Sequence, residues 1–121
     1  MKTVGAGCKT VCAIIVAYGP DEQFSSRLER IAQQFTKVLV VNNFFSDAAT
    51  EYVRRVASDN QADVIYLKEN RGLGYALNSG IARARQLDFE HVVLFDQDSL
   101  PSPQFAARLL GTARALSNSK V

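Results

Sequence analysis

The sequence is poor in the residues that staple or metallate small proteins. It has two cysteines, Cys8 and Cys12, and a single histidine, His91. Two cysteines do not make a disulfide scaffold, and neither has metal-ligand company, so a reducing, cytoplasmic compartment is expected. Long hydrophobic runs are also missing. The longest, Val11 to Tyr18, is far too short to span a bilayer and stops at Gly19-Pro20, so no transmembrane segment is expected. Nor is there an excess of charge of one sign. The formal net charge is +2 and the basic residues are spread out, which argues against the basic stripe that grips nucleic acid. Repeats and low-complexity stretches are absent. His91 follows Asp88 and Glu90 and reads as a surface residue without a chemical role.

What remains is an ordinary globular composition. With 121 residues, 47% of them hydrophobic and 21% charged, the chain has room for one domain and for a core within it. Residues 1–10 read as an N-terminal extension and 11–121 as the domain. Two motifs near the start fail on inspection. Met1-Lys2 before an apolar run suggests a signal peptide, but Lys9 and Thr10 abut the run and no small-residue cleavage site follows it. Gly5-Ala6-Gly7-Cys8-Lys9-Thr10 suggests a phosphate loop, but Cys8 stands where Gly is required and the strand follows the motif instead of preceding it.

Strand and helix patterns alternate from Val11 onward. Val11 to Tyr18 is a near-continuous Val/Ile-rich run, as suits a strand buried on both faces. Phe24, Leu28, Ile31, Ala32 and Phe35 fall at helical spacing over 22–35, with Asp21 as the candidate cap. Val38 to Val41 is a second strand. Ser46 or Asp47 can cap a helix that places Tyr52, Val53, Val56 and Ala57 on one face. Val64 to Leu67 is a third strand, 74–87 a helix with Leu77, Ile81 and Ala84 inward, and Val92 to Phe95 a fourth strand. Ser102-Pro103 opens a last helix whose buried side carries Phe105, Leu109, Leu110, Ala113 and Leu116. Four such units predict an α/β fold: an open, mainly parallel sheet of about four strands with helices on both faces. Ligands in such sheets bind at the carboxyl ends of the strands. That narrows the search to loops 17–21, 42–47, 68–74 and 96–101.

Each loop carries a pattern with two readings. Asp96-Gln97-Asp98 follows the apolar run Val92 to Phe95. Two carboxylates one residue apart at a strand end can share Mg²⁺ or Mn²⁺, which in turn binds phosphate oxygens; the plain alternative is a solvated turn. Asn70-Arg71-Gly72-Leu73-Gly74 leads into a helix. Its glycines allow close backbone approach, Arg71 offers a fork for phosphate, and a helix start favours anions; the alternative is a turn with a surface Arg. The dinucleotide fingerprint fails there, because Leu77 occupies the place of its third Gly. Asn78 is locally unfavourable inside a helix, which suggests a role beyond propensity or a bond to a neighbouring loop. Asn42-Asn43 ends the second strand, suited to reading a base edge or shaping the turn. Phe44-Phe45 is either a stacking surface, a partner contact or a pair tucked into the core.

Together these segments resemble the nucleotide-binding half of a family 2 glycosyltransferase with the GT-A fold, from about Val11 to Phe105. Ile14-Ile15-Val16-Ala17-Tyr18 is similar to the family's opening strand, and Val40-Val41-Asn42-Asn43 to its second strand with an Asp-Asn pair. Asn70, Gly72, Ala76, Asn78 and Gly80 fit its N-x-G-x-x-x-A-x-N-x-G stretch. Leu94-Phe95-Asp96-Gln97-Asp98-Ser99, with Pro101 close behind, resembles the D-x-D strand of the rhamnosyltransferase-like subgroup.

The resemblance implies strand order 3-2-1-4 and a nucleoside-diphosphate-sugar donor of dTDP or UDP type. Ala17, Tyr18 and Asn42 would border the base. Arg71 would approach the diphosphate, with Asn43, Gly72 and Asn78 completing the donor site. Asp98 would hold Mg²⁺ or Mn²⁺ with help from Asp96. Sugar transfer would go with inversion, the metal neutralising charge on the departing diphosphate.

Two departures from the family pattern stand out. Asn42 replaces the usual base-contacting Asp, although its carbonyl oxygen still accepts a pyrimidine N3–H. Phe44-Phe45 replaces Gly-Ser. The family's acceptor site and catalytic base lie after the D-x-D, so this stretch is expected to hold the donor half without the acceptor half, and a homodimer is expected to cover the exposed face. Two rival readings are a non-catalytic nucleotide-binding or assembly module and a haloacid-dehalogenase-like phosphatase. The phosphatase fits poorly, because its D-x-D-x-T/V motif meets Leu100 here and falls on the last strand instead of the first.

Overall fold

A computed structural model describes residues 11–44, 46–109 and 111. The N-terminal extension, Phe45 and the helix positions Leu110, Ala113 and Leu116 lie outside the described residues. Strand β1, Val11–Ala17, is buried along its whole length. It is flanked by β2, Lys37–Asn42, and β4, His91–Asp96, while β3, Asp63–Tyr66, pairs with the far side of β2. Every pairing is parallel and the order is β3-β2-β1-β4, as the resemblance implies. The β3 segment starts one residue earlier than the apolar pattern suggests, and Leu67 N–H still reaches the Asn42 carbonyl at 3.3 Å.

Strand alternation divides the apolar residues between two cores. Ala13, Ile15, Val38 and Val40 face one side, where they meet Phe24, Leu28 and Ile31 of α1, Phe24–Ala32, and Val53, Val56 and Ala57 of α2, Asp47–Asp59. Cys12, Ile14, Val16, Leu39 and Val41 face the other side, where Ala76 and Ala84 of α3, Leu73–Gln86, cover them. Each fully buried Phe, Leu or Ile contributes about 1.5–3 kcal/mol relative to exposure, so the first face holds most of the stabilisation.

Helix α1 is shorter than its periodicity suggests, for reasons visible at both ends. The N-cap is Gln23, without a side-chain capping bond, and not the expected Asp21: the Asp21 carboxylate accepts the Gln23 N–H at 3.0 Å and its carbonyl accepts the Phe24 N–H at 3.1 Å, so a turn precedes the helix. After Ala32 the chain turns, with Gln34 N–H on the Ile31 carbonyl at 3.0 Å. That turn swings Phe35 into the core against Phe95, ring centroids 5.9 Å apart. Ser46 caps α2, its hydroxyl oxygen accepting the Ala49 N–H at 3.1 Å. Residues 105–109 and 111 are helical, with Ala106 buried and Phe105 5.5 Å from Phe95. Among the described residues, no helix is long and apolar enough to cross a membrane. His91 is exposed, and β4 forms one edge of the sheet with Val92 and Leu94 exposed along it.

Candidate functional site

Parallel strands deliver their carboxyl ends to one rim, and the register aligns the candidate residues there. Ala17 lies beside Asn42, Asn42 beside Tyr66, and Val16 beside Asp96. An open cleft of about 630 Å³ occupies this rim between β1, β4 and the start of α3. Tyr18, Asn43, Gly72, Asp96 and Asp98 line it, together with Asn70 and Gln97.

The other candidates sit elsewhere. Ala17 is buried, its carbonyl accepting the Asn43 N–H at 2.8 Å, so it supports the rim from below. Asn42 is buried beneath it, with Nδ2 donating to Thr50 Oγ1 at 3.3 Å. Asn78 is exposed on α3, outside the cleft lining. Arg71 is also outside that lining. Its Nε donates to Glu69 at 2.6 Å and its guanidinium stacks 5.2 Å from the Tyr75 ring centroid, which holds it over a smaller cleft of about 310 Å³ beside Tyr66.

The cleft walls are shaped by side chain to backbone bonds. Asn70 Oδ1 accepts the Gly72 N–H at 2.8 Å and Asn43 Nδ2 at 3.5 Å, tying the third loop to the second. Gly72 enters α3 at φ 94°, ψ 168°, a conformation essentially reserved for glycine. Gly19 lies at φ +50° beneath Phe44, and Phe44 meets Tyr18 edge to face at 4.8 Å. Phe44 is thus a half-buried prop for an exposed Tyr18. Two buried acceptors, Asn42 Oδ1 and Asn43 Oδ1, have no partner among the described residues. A buried polar atom left unpaired costs about 1–3 kcal/mol, and of the two only Asn43 belongs to the cleft lining.

Asp96 and Asp98 are both exposed and stand on a tight turn closed by Ser99 N–H to the Asp96 carbonyl at 2.9 Å. Arg27 of α1 reaches this turn. Its Nη1 donates to the Gln97 carbonyl at 3.3 Å and to Asp21 at 3.0 Å, and lies 3.9 Å from Asp98. The Arg27 bond holds the Asp21 carboxyl below its ordinary value, helped by the Gln23 and Phe24 N–H groups, while burial opposes. No cluster of three or more His, Cys, Asp or Glu suited to a metal occurs among the described residues. Two carboxylates nonetheless suit Mg²⁺ or Mn²⁺, which keep several waters and complete their shells with substrate phosphate oxygens.

Sequence reasoning did not single out Arg27, Arg30, Gln34 or Gln97 as structural ties. Arg30 donates to the Pro101 carbonyl at 3.0 Å, and Gln34 donates to the Ser102 carbonyl at 2.7 Å while accepting the Ala106 N–H at 2.8 Å. The available signal was their spacing. Residues 27, 30 and 34 recur every three or four positions, which sets them in one row along α1 and its terminal turn.

Residues 12–119 match the sequence profile of glycosyl transferase family 2. The chain belongs to that family. It is 27% identical over 90 residues to the poly-beta-1,6-N-acetyl-D-glucosamine synthase of Staphylococcus aureus strain COL, covering 72% of this chain and 21% of that protein. It is also 27% identical over 100 residues to the dTDP-rhamnosyl transferase RfbF of Shigella flexneri, covering 82% of this chain and 33% of that protein. The crystal structure of S. aureus TarS superposes with a TM-score of 0.63 at 19% identity, over 87% of this chain and 20% of TarS. The fold of this family 2 chain is therefore GT-A-like, and the chain spans a third or less of each of these proteins.

Proposed function

We propose that this family 2 chain supplies the donor-binding side of a glycosyltransferase that takes a nucleoside-diphosphate sugar through a divalent cation. One observation carries the reading. The fold brings Tyr18 just after β1, Asn43 after β2, Asp96 at the end of β4 and Asp98 two residues beyond it around a single cleft. An aromatic face, a buried amide acceptor and an acidic pair are what a base, its N–H and a metal-bridged diphosphate require.

In this reading Asp98 and Asp96 would hold Mg²⁺ or Mn²⁺, a group that would supply charge neutralisation for the leaving diphosphate. Tyr18 covers the base, and Asn43 Oδ1 accepts a base N–H. Ala17 and Asn42 set the rim from beneath, while Gly72 leaves the cleft wall open near the start of α3. Arg71 joins the diphosphate on leaving Glu69, and Asn78 stands as an outer contact. Among the described residues of the cleft lining the carboxylates are Asp96 and Asp98, and both are assigned here to the metal, so neither is assigned as the base for an acceptor hydroxyl. The Asp96-Gln97-Asp98-Ser99 sequence resembles the rhamnosyltransferase-like subgroup, and one relative is named a dTDP-rhamnosyl transferase, so the donor is a dTDP- or UDP-sugar with rhamnose as one candidate. Cys12, a free buried thiol, accords with a cytoplasmic setting. The exposed Val92 on β4, at the edge of the sheet, marks the surface where a homodimer would form, and light scattering that finds only monomer at high concentration argues against it.

Titration calorimetry tests the donor site. Binding of dTDP or UDP is expected to be weak without metal and to strengthen with Mg²⁺ or Mn²⁺. Asp98→Ala should remove most of that strengthening, because the ion links two anionic partners. Metal-independent binding that ignores Asp98→Ala would overturn the assignment.

A further inference from the structure

The β1–β4 ladder pairs Val16 with Asp96, and there the chain leaves the sheet into the Asp96–Ser99 turn. Beyond this point Tyr18 has no strand partner on the β4 side. The Gln97 side chain takes that place. Its Oε1 accepts the Tyr18 N–H at 2.6 Å and its Nε2 donates to the Tyr18 carbonyl at 3.3 Å, across 79 residues of sequence. A primary amide can present an N–H donor and a carbonyl acceptor side by side, as neighbouring peptide groups do on a strand edge, and so carries the ladder one step further. The main chain of Gln97 is held as well, through the bond from Arg27 to its carbonyl.

We propose that Gln97 is a positioning residue for the donor: its amide latches Tyr18 to the turn that carries Asp96 and Asp98, fixing the aromatic wall relative to the acidic pair. The role rests on the donor-binding reading above. The geometry is selective for residue type. Glutamate keeps an acceptor but loses the donor and adds a third carboxylate to the turn. Methionine matches the length of Gln and makes neither bond. Asparagine is a methylene too short.

Amide exchange by NMR and calorimetry with dTDP and UDP, each with and without Mn²⁺, test this on the full chain. In Gln97→Met the Tyr18 N–H should exchange at least tenfold faster, while amides in the middle of β1 keep their protection. Metal-dependent affinity should fall about tenfold, as expected for loss of one or two neutral hydrogen bonds. Gln97→Glu should also weaken nucleotide binding, yet bind Mn²⁺ alone at least as well as wild type. Unchanged Tyr18 exchange in Gln97→Met overturns the latch. Faster exchange with unchanged affinity overturns its role toward the donor, and so does lost protection throughout β1, which marks a general fold defect. Wild type that binds neither nucleotide overturns the donor reading itself. That result is told apart because wild type and variant are then equally silent.

Discussion

A methyl group on Gly80 would lie 2.7 Å from Cγ2 of Ile14. Helix α3 therefore approaches β1 closely enough that hydrogen alone fits between them, with Val41 Cγ2 a further neighbour at 3.3 Å. Ile14 is fully buried in the centre of the sheet and its Cγ2 moves only with the backbone or a strained rotamer. Gly80→Ala gains about 1 kcal/mol of helix propensity but loses about 1–3 kcal/mol to overpacking. The clash is with a stiff branched side chain, so the second effect wins. Net destabilisation of up to about 2 kcal/mol is expected in urea unfolding, and a variant more stable than wild type would contradict the close contact.

Gly72 gives a different answer for a different reason. A Cβ there would meet nothing within 4 Å, so space is not the constraint. Its φ of 94° with ψ of 168° is, and a side chain in that region costs about 1–3 kcal/mol. Gly72→Ala should destabilise by that amount or shift the entry to α3, which nucleotide titration would register as weaker binding. Gly74 sits in the first turn of α3, also with nothing within 4 Å of a Cβ, and Gly74→Ala should be neutral or stabilising by up to about 1 kcal/mol.

Gln34 is 7% exposed and joins α1 to the segment after the D-x-D turn through the Ser102 carbonyl and the Ala106 N–H. Gln34→Ala leaves both groups without that partner. A loss of about 1–3 kcal/mol is expected. Hydrogen exchange should show the Ala106 amide released well before β1 and β2. An Ala106 amide as protected as in wild type would remove Gln34 from its assigned role.

Cys12 is fully buried, and burial pushes its thiol up from 9.0 to about 11, with Lys37 opposing and Asp63 adding. The folded state then keeps a proton that the unfolded chain releases near its ordinary value. Stability is complete below about pH 8.5 and falls as pH rises toward 11. Cys12→Ala should flatten that alkaline decline. In the native protein at pH 7, alkylation followed by peptide mapping should leave Cys12 unmodified.

The fold was largely legible because its signals are local. The Val/Ile run of β1 and the helical spacing of Phe24, Leu28 and Ile31 each report burial at their own positions. The motif Asn70, Gly72, Ala76, Asn78, Gly80 was legible only as a string. The structure divides it between Asn70 and Gly72 at the cleft and Ala76 and Gly80, which pack against the sheet. Arg71 shows the limit most clearly. Its charge suited a diphosphate, but Glu69 and Tyr75, two and four residues away, hold it to the side. Gln97 was hidden for the opposite reason, since its partner lies 79 residues upstream and a side chain to backbone bond leaves no mark on periodicity.

The order β3-β2-β1-β4 also has a meaning in time. The first described strand to leave the ribosome is one of the two inner ones, and the edge it offers to β4 stays open until residues 91–96 are made. At roughly 5–20 residues per second, the intervening stretch takes about 4–16 seconds to synthesise. Until then the β4-facing edge of Val11–Ala17 has no native partner, and an unpaired, Val/Ile-rich strand edge is a template for unwanted pairing. The cleft is completed by the same event that covers it, so the site cannot exist before that edge is sealed.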